Sequence, residues 1–166
     1  MATTSYKSRV IYKKLTKSDT DLSKVDFAGS YTLLCKAKSI PAPLGAPNTV
    51  ESTTLEDDSQ TFEEGIKQVD SKEFTGNLEK EYLDKIDDLS GERCCIIQLY
   101  GTDGIGGVAK YAYIAQVSAN PSDIGGNDEI VEMSVTAIPN TVAKKVTDTL
   151  TVADNGDGTF TVAKVG

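Results

Sequence analysis

The sequence predicts an α+β fold that is mostly β-strand: a β-sandwich or barrel subunit with one flanking α-helix, a long loop and an N-terminal arm. Most apolar residues occur in short segments rich in β-branched and aromatic residues, which favour strands. A single segment has apolar residues at helical spacing. The 166 residues, with 39% hydrophobic content, suit one compact domain with a sizeable core, so we expect a single domain over residues 1–166.

The strand segments are separated by glycine-rich turns. GTDGIGG at Gly101–Gly107 is typical of a hairpin loop, and DNGDG at Asp154–Gly158 is typical of the turn of a C-terminal hairpin over residues 148–166. We expect such a meander of strands to close into a sandwich or barrel. The predicted strands are Tyr31–Ile40, Ile66–Phe74, Arg93–Tyr100, Val108–Ala119, Glu129–Ile138, Thr149–Val152 and Thr159–Val162.

One helix is predicted over residues 77–90. Asn77 is the predicted N-cap, and Gly91 stands where a C-terminal cap belongs. The segment has an apolar face and a charged face on its opposite side, so the helix is expected to pack its apolar face on a sheet. The apolar residues, at spacings of four, four and three, are Leu78, Tyr82, Ile86 and Leu89.

The segment over residues 41–65 is too long for an ordinary connection between two strands. Pro41, Pro43 and Pro47 favour extended backbone and remove amide donors, which suits an arm that lies across a partner. We therefore expect an assembly loop here. A surface loop without a function is the alternative.

Charge is unevenly distributed along the chain. Residues 1–17 contain five basic residues and no acidic residue, whereas residues 51–92 contain fourteen acidic residues and four basic ones. The first segment is predicted to be a basic arm, and opposite patches of this kind can steer head-to-tail association. The alternative is a solvated tail beside an ordinary acidic face. The net charge of −8 argues against tight nucleic-acid binding.

Two predicted strands alternate polar and apolar residues, so each should have one core face and one wet face. Gln68, Asp70 and Lys72 share one face of their segment. The other polar set is Glu132, Ser134 and Thr136.

An enzymatic function is not predicted, and no cofactor or metal is expected. The chain has no histidine, which excludes histidine-based triads. GTDGIGG lacks the Lys-Ser/Thr of a phosphate-binding loop, and DNGDG lacks the twelfth-position ligand of a calcium loop. Cys35, Cys94 and Cys95 lack metal-ligand spacing and are expected to be buried reduced thiols.

No run of about 18 apolar residues occurs in the sequence, and no apolar stretch follows the first basic residues. We therefore expect neither a membrane span nor a secretory signal. We expect the protein to be made in the cytoplasm.

The segment from Val50 to Asn77 carries a distinctive set of residues. It resembles the segment that marks the major tail proteins, or tail tube proteins, of long-tailed bacteriophages, and the resemblance favours the non-contractile type. Glu64-Gly65 departs from the Pro-Gly step that is frequent in that family. The residues that carry the resemblance are Glu51, Ser52, Thr53, Thr54, Leu55, Glu56, Asp57, Asp58, Phe62, Gly65, Ile66, Glu73, Phe74, Thr75, Gly76 and Asn77.

The resemblance implies the tail tube fold, in which each subunit donates strands to a barrel around the bore. It implies a virion protein, made in the host bacterial cytoplasm, whose homo-hexameric rings stack into the hollow tail tube. Implied partners are further copies of itself and the tape-measure, tail-tip initiator and tail terminator proteins; DNA passes through for genome ejection without specific binding. The alternative is a monomeric β-sandwich binding or adhesion module.

The charge, loop and alternation patterns, taken together with the resemblance, give two sets of candidate site residues. The lumen-facing candidates are Gln68, Asp70, Lys72, Glu132, Ser134 and Thr136. The candidates for subunit and ring contacts are Lys7, Arg9, Lys13, Lys14, Pro41, Pro43, Leu44, Pro47, Thr54, Leu55, Asp57, Asp58, Phe62 and Gly65.

Overall fold

A long, curled antiparallel sheet forms most of the described part of the chain. The computed structural model describes residues 7–15, 22–43, 49–51, 62–64, 71–89, 91–122 and 130–165. These residues contain one α-helix, α1 (Lys80–Asp87), and a short 3-10 helix at Leu22–Lys24. The strands are β1 (Arg9–Lys14), β2 (Gly29–Leu33), β3 (Ala37–Ser39), β4 (Thr49–Glu51), β5 (Phe62–Glu64), β6 (Lys72–Asn77), β7 (Arg93–Tyr100), β8 (Ala109–Pro121), β9 (Glu132–Pro139), β10 (Lys144–Lys145), β11 (Leu150–Asp154) and β12 (Thr159–Lys164).

The strand order of the main sheet is β11-β12-β2-β1-β7-β8-β9-β6-β3, with β10 paired to the side of β8. Strand β8 is long enough to pair with β7 along Ala109–Gln116 and with β9 along Ala115–Pro121. The sheet curls into a half-barrel, which confirms the mostly β fold with one helix. Strands β4 and β5 form a separate two-stranded sheet.

The three central strands β1, β7 and β8 are buried on both faces. Neighbouring residues of a strand point to opposite sides, so Ile96 packs in one core cluster and Ile97 in the other. The first cluster is covered by α1 and by the curled strands β6 and β9, and the second by β2, β11 and β12. Burial on both faces explains why Arg93–Tyr100 is nearly continuously apolar.

Most strands lie where the sequence predicts them, with shifted ends. Strands β7, β8 and β9 match their predicted segments, and β11 and β12 pair into the predicted C-terminal hairpin. The single strand predicted over Tyr31–Ile40 is wrong, because it is broken into β2 and β3 at residues 34–36. In place of a strand ending at Phe74, the described part of that segment is β6, which extends to Asn77.

The predicted helix exists but begins later. Asn77 lies in β6, and the N-cap is Glu79, which makes no capping hydrogen bond with its side chain. The predicted apolar face is confirmed, since Tyr82, Ile86 and Leu89 are buried in the first cluster. The predicted C-terminal cap at Gly91 is wrong, because the helix ends earlier, with Asp88 as its C-cap; Gly91, with a φ of 76°, lies in a later turn.

The prediction of a basic arm over residues 1–17 is wrong for residues 9–14. These residues form β1, which pairs with β2 on one side and with β7 on the other. The burial of Val10 and Ile11 outweighs the charge of the lysine and arginine residues at the ends of the strand, because those charges reach solvent or a partner.

The prediction of an extended loop over residues 41–65 is also corrected, because this segment contains the β4–β5 hairpin. Thr49 lies opposite Glu64, and Glu51 lies opposite Phe62. The separate hairpin explains how a segment of this length fits between β3 and β6.

Candidate assembly surfaces

The outward side of strands β8, β9, β6 and β3 is a surface of short polar side chains, here called the polar face. The register places Thr136 between Glu73 and Ser118, and Ser134 opposite Thr75. The opposite sides of these strands pack into the first core cluster through Phe74, Met133, Val135 and Ala137. The described members of the polar face are Ser39, Glu73, Thr75, Ser118, Asn120, Ser122, Glu132, Ser134 and Thr136, and the exposed apolar residue Ile138 lies beyond Thr136 on the same side of β9.

The hydroxyl groups of the polar face bond to one another and to a carboxylate. The hydroxyls of Ser39 and Thr75 lie 2.6 Å apart, and that of Ser134 donates to Glu73 Oε1 at 3.2 Å. Lys38 Nζ forms an ion pair with Glu132 Oε1 at 2.8 Å. The polar face therefore has two carboxylates among its hydroxyl groups, those of Glu73 and Glu132, and the second is neutralised by Lys38.

The structure brings together only part of the predicted lumen-facing set. Glu132, Ser134 and Thr136 share the polar face, as parity predicts. Lys72 does not, and its prediction as lumen-facing is wrong: it lies on the core side of β6 with Phe74 and is 8% exposed. Gln68 and Asp70 lie outside the described residues.

Sequence reasoning missed Glu73 and Thr75 as members of this face. The signal was present, because Phe74 must point into the core and its immediate neighbours must therefore point outward. By the same alternation, Lys72 is two residues from Phe74 and therefore points to the core side of the strand.

Arg9 connects three parts of the structure at one end of β1. Its Nη1 atom lies 2.7 Å from Asp154 Oδ2 and 3.4 Å from the carbonyl oxygen of Gly104. The guanidinium also lies over the ring of Phe160, 5.5 Å from its centroid. The hydrogen bond from Arg9 holds the pKa of Asp154 below its usual value.

The other predicted basic contact residues also lie near this strand. Lys13 Nζ donates to the carbonyl oxygens of Asp26 at 2.8 Å and Ala28 at 2.9 Å. Lys14 lies 3.8 Å from Glu92, and Lys7 is exposed just before β1. Arg9, Lys13 and Lys14 thus have partners within their own subunit, and their contacts between subunits stay a prediction.

A groove of about 380 Å³ runs beside the start of β1. Its lining includes Lys7, Arg9, Leu33, Cys35 and Lys36. A second hollow of about 170 Å³ continues from it towards the C-terminal hairpin. Lys36 is 3.5 Å from Glu79 and Arg9 is paired with Asp154, so the groove has basic groups that are already balanced by neighbouring acids.

The start of the long segment is fixed to the sheet. The carbonyl oxygen of Pro41 accepts from Gln98 Nε2 at 2.8 Å, and that of Ala42 accepts from Lys72 Nζ at 2.8 Å. Pro43 lines a cavity of about 10 Å³ together with Tyr113 and Pro139, which leaves room for no more than a single water molecule.

The remaining predicted contact residues are mostly outside the described part of the chain. Phe62 lies in β5. Those outside the described residues are Leu44, Pro47, Thr54, Leu55, Asp57, Asp58 and Gly65.

Burial and hydrogen bonding shift the pKa values of the cysteines and of Asp103 in the described residues. Burial raises the pKa of Cys35 to about 11, of Cys94 to about 12 and of Cys95 to about 11. The backbone N–H of Ile105 lowers the pKa of Asp103, whose carboxylate closes the β7–β8 loop. Among the residues with described positions, no group of three or more His, Cys, Asp or Glu is placed to hold a metal ion.

The helices within the described residues are all too short or too polar to cross a membrane. No protein-family model matches the chain, and no curated protein matches it.

Proposed function

We propose that this chain is the structural subunit of the tail tube of a long-tailed bacteriophage. Identical subunits form hexameric rings, the rings stack into a hollow tube in the virion tail, and the genome passes through it into the host. The observation that supports this most is a curled sheet whose polar face extends to an edge strand, β3, that has no second strand partner among the described residues.

Open sheet edges favour assembly. An edge strand presents backbone N–H and C=O groups that pair readily with another chain. In the described part of the chain the main sheet has such edges at β3 and β11. A closed ring of identical subunits pairs edges without leaving new ones, whereas an open contact produces filaments of uncontrolled length.

The polar face suits the wall of a DNA conduit. Serine and threonine hydroxyls that hydrogen-bond to one another offer no cationic groups to bind phosphates, and Lys38, a lysine beside them, is paired with Glu132. Carboxylates on this surface repel phosphates over about 8 Å at physiological salt. DNA would therefore slide past without being held.

The β4–β5 hairpin supplies a candidate contact between subunits or rings. It stands apart from the main sheet, and its segment is strongly acidic. Lys7, which is exposed just before β1, carries the opposite sign, and complementary charges of this kind set register and association rate. Tape-measure, tail-tip initiator and tail terminator proteins are the further partners that this function requires.

A deletion of the hairpin tests the proposal. Replacing residues 49–64 by a short Gly-Ser linker should leave a folded monomer that does not form stacked rings in a sedimentation series over concentration. The control inserts the same linker in the exposed turn at Asn155–Gly158, far along the chain from the hairpin.

Normal sedimentation of the hairpin deletion as tubes would contradict the role of the hairpin. A wild-type protein that stays monomeric at all concentrations and with a tail-tip initiator present would favour a monomeric binding module and contradict the tail tube function.

A further inference from the structure

Gln98 is a polar side chain at the centre of the sheet, and it is fully buried. Its Nε2 atom donates to the carbonyl oxygen of Pro41 at 2.8 Å and to the hydroxyl of Tyr100 at 2.6 Å. Its Oε1 atom accepts from the hydroxyl of Tyr113 at 2.7 Å. Both amide donors and the carbonyl of this side chain are therefore used, as a buried amide requires.

Lys72, a buried residue of β6, also donates a hydrogen bond to a backbone carbonyl of this segment. Its ammonium donates to the carbonyl oxygen of Ala42 at 2.8 Å and lies over the ring of Tyr113, 5.8 Å from the centroid. Burying a lysine costs free energy unless its charge finds partners. The carbonyl of Ala42 and the ring of Tyr113 are such partners, and together they hold the Lys72 side chain in a defined geometry.

The two carbonyls held in this way belong to consecutive residues, Pro41 and Ala42, directly after β3. Pro41 and Pro43 have no N–H, so this stretch offers more carbonyl acceptors than amide donors for fixing its backbone. The donors come from β7 and β6, which are separated from the two carbonyls by 57 and 30 residues. Two different strands of the core thus fix the point where the segment leading to the β4–β5 hairpin leaves the sheet.

An apolar pair at these two positions would avoid the cost of burying an amide and a charge. A polar network in a core instead specifies one arrangement, because each member must satisfy the others. We propose that Lys72 and Gln98 are positioning residues that fix the direction in which the hairpin segment leaves the sheet, so that the segment meets a second copy of the chain already oriented. The role in assembly rests on the proposed function, whereas the anchoring does not.

Lys72→Met tests the anchor, because it removes the donor and keeps most of the aliphatic stem. Lys110→Met is the matched control: Lys110 is also buried, at 7% exposure, and donates to the carbonyl of Thr147, away from the hairpin segment. The readout is cleavage of the monomer by a glutamate-specific protease, which has sites at Glu51, Glu56, Glu63 and Glu64. Urea unfolding of each variant is measured in parallel.

We expect Lys72→Met to speed cleavage between residues 44 and 64 at least tenfold, beyond any change that its unfolding free energy accounts for. Lys110→Met should leave the rate within twofold of wild type, and Lys72→Arg should return the rate towards that of wild type because it keeps a charged donor. Gln98→Met should act like Lys72→Met. Unchanged cleavage in both Lys72→Met and Gln98→Met would overturn the anchor.

Assembly is scored separately by the concentration at which tubes appear. We expect Lys72→Met to raise that concentration at least tenfold relative to Lys110→Met. Faster cleavage with unchanged assembly would overturn the positioning role. If wild-type protein forms no tubes, the proposed function fails, and the cleavage rates still decide whether the anchor exists.

Discussion

The adjacent cysteines of β7, Cys94 and Cys95, point to opposite faces of the strand and enter different core clusters. Cys35 packs in the same cluster as Cys94. Thiolates are the reactive form of cysteine, and burial disfavours them. The three thiols therefore act as small apolar side chains in the core.

We predict that none of the three thiols reacts readily in the folded monomer. At pH 8 the pKa values of about 11 to 12 leave few thiolates, so a disulfide reagent should react at least a hundredfold more slowly than with the unfolded chain. All three should react in urea. Fast labelling of any cysteine without denaturant would contradict the burial described here.

A second residue-scale prediction concerns Asp154, the partner of Arg9. Its folded-state pKa is lowered, so its contribution to stability is present above about pH 4, the unfolded value, and is lost as the pH falls through the lower folded value. Because both side chains are partly exposed, Asp154→Asn should cost no more than about 1 kcal/mol at pH 7. The cost should be smaller at pH 2 than at pH 7.

Urea unfolding at the two pH values measures this difference. Asp148→Asn, which removes an exposed carboxylate just before β11, is the control and should change stability little at either pH. An Asp154→Asn cost that is the same at pH 7 and pH 2 would contradict an ionic origin.

At the scale of elements, the junction of β3 and β6 depends on a close approach of two backbones. A Cβ atom at Gly76 would lie 2.6 Å from the carbonyl oxygen of Lys36. The pairing is irregular here, with a shift of register between Ala37 and Ser39. Gly76 therefore allows the chain between β2 and β3 to pass directly over β6.

Gly76→Ala should move β3 away from β6 and destabilise the protein by about 1 to 3 kcal/mol, the usual cost of overpacking. The measurement is the free energy of urea unfolding, with amide exchange of residues 37–39 as a local probe. Glu73→Ala, an exposed change on the same strand, should cost no more than about 0.5 kcal/mol. Equal stability of Gly76→Ala and wild type would show that the two backbones can separate freely.

The elements also show how far the sequence alone leads. The apolar run of β7, the apolar face of α1 and the C-terminal hairpin were predictable because each has a strong local pattern. Strand β1 was not, since its basic residues resemble those of a solvated arm and its burial depends on strands far along the chain. The polar face was half predictable: parity places Ser134 and Thr136 together, but only the register brings Glu73 beside them.

At the scale of the whole molecule, the polar face and the acidic hairpin are the surfaces that the proposed tube uses. Glu73→Lys places a cation on the polar face without disturbing the core, because Glu73 is exposed. If this face lines the bore, the substitution should slow DNA release from assembled particles severalfold by attracting phosphates.

Release kinetics from particles carrying Glu73→Lys provide the measurement. Glu81→Lys makes the same charge change on the exposed side of α1 and should leave release unchanged. Unchanged release with Glu73→Lys in intact particles would remove this face from the bore.

Electron microscopy of the purified protein in negative stain, over a concentration series and with a tail-tip initiator added, tests self-assembly most directly. The tail tube account predicts hollow tubes of stacked sixfold rings that appear above a threshold concentration or grow from the initiator. A protein that remains monomeric at every concentration, with the initiator present, would contradict it.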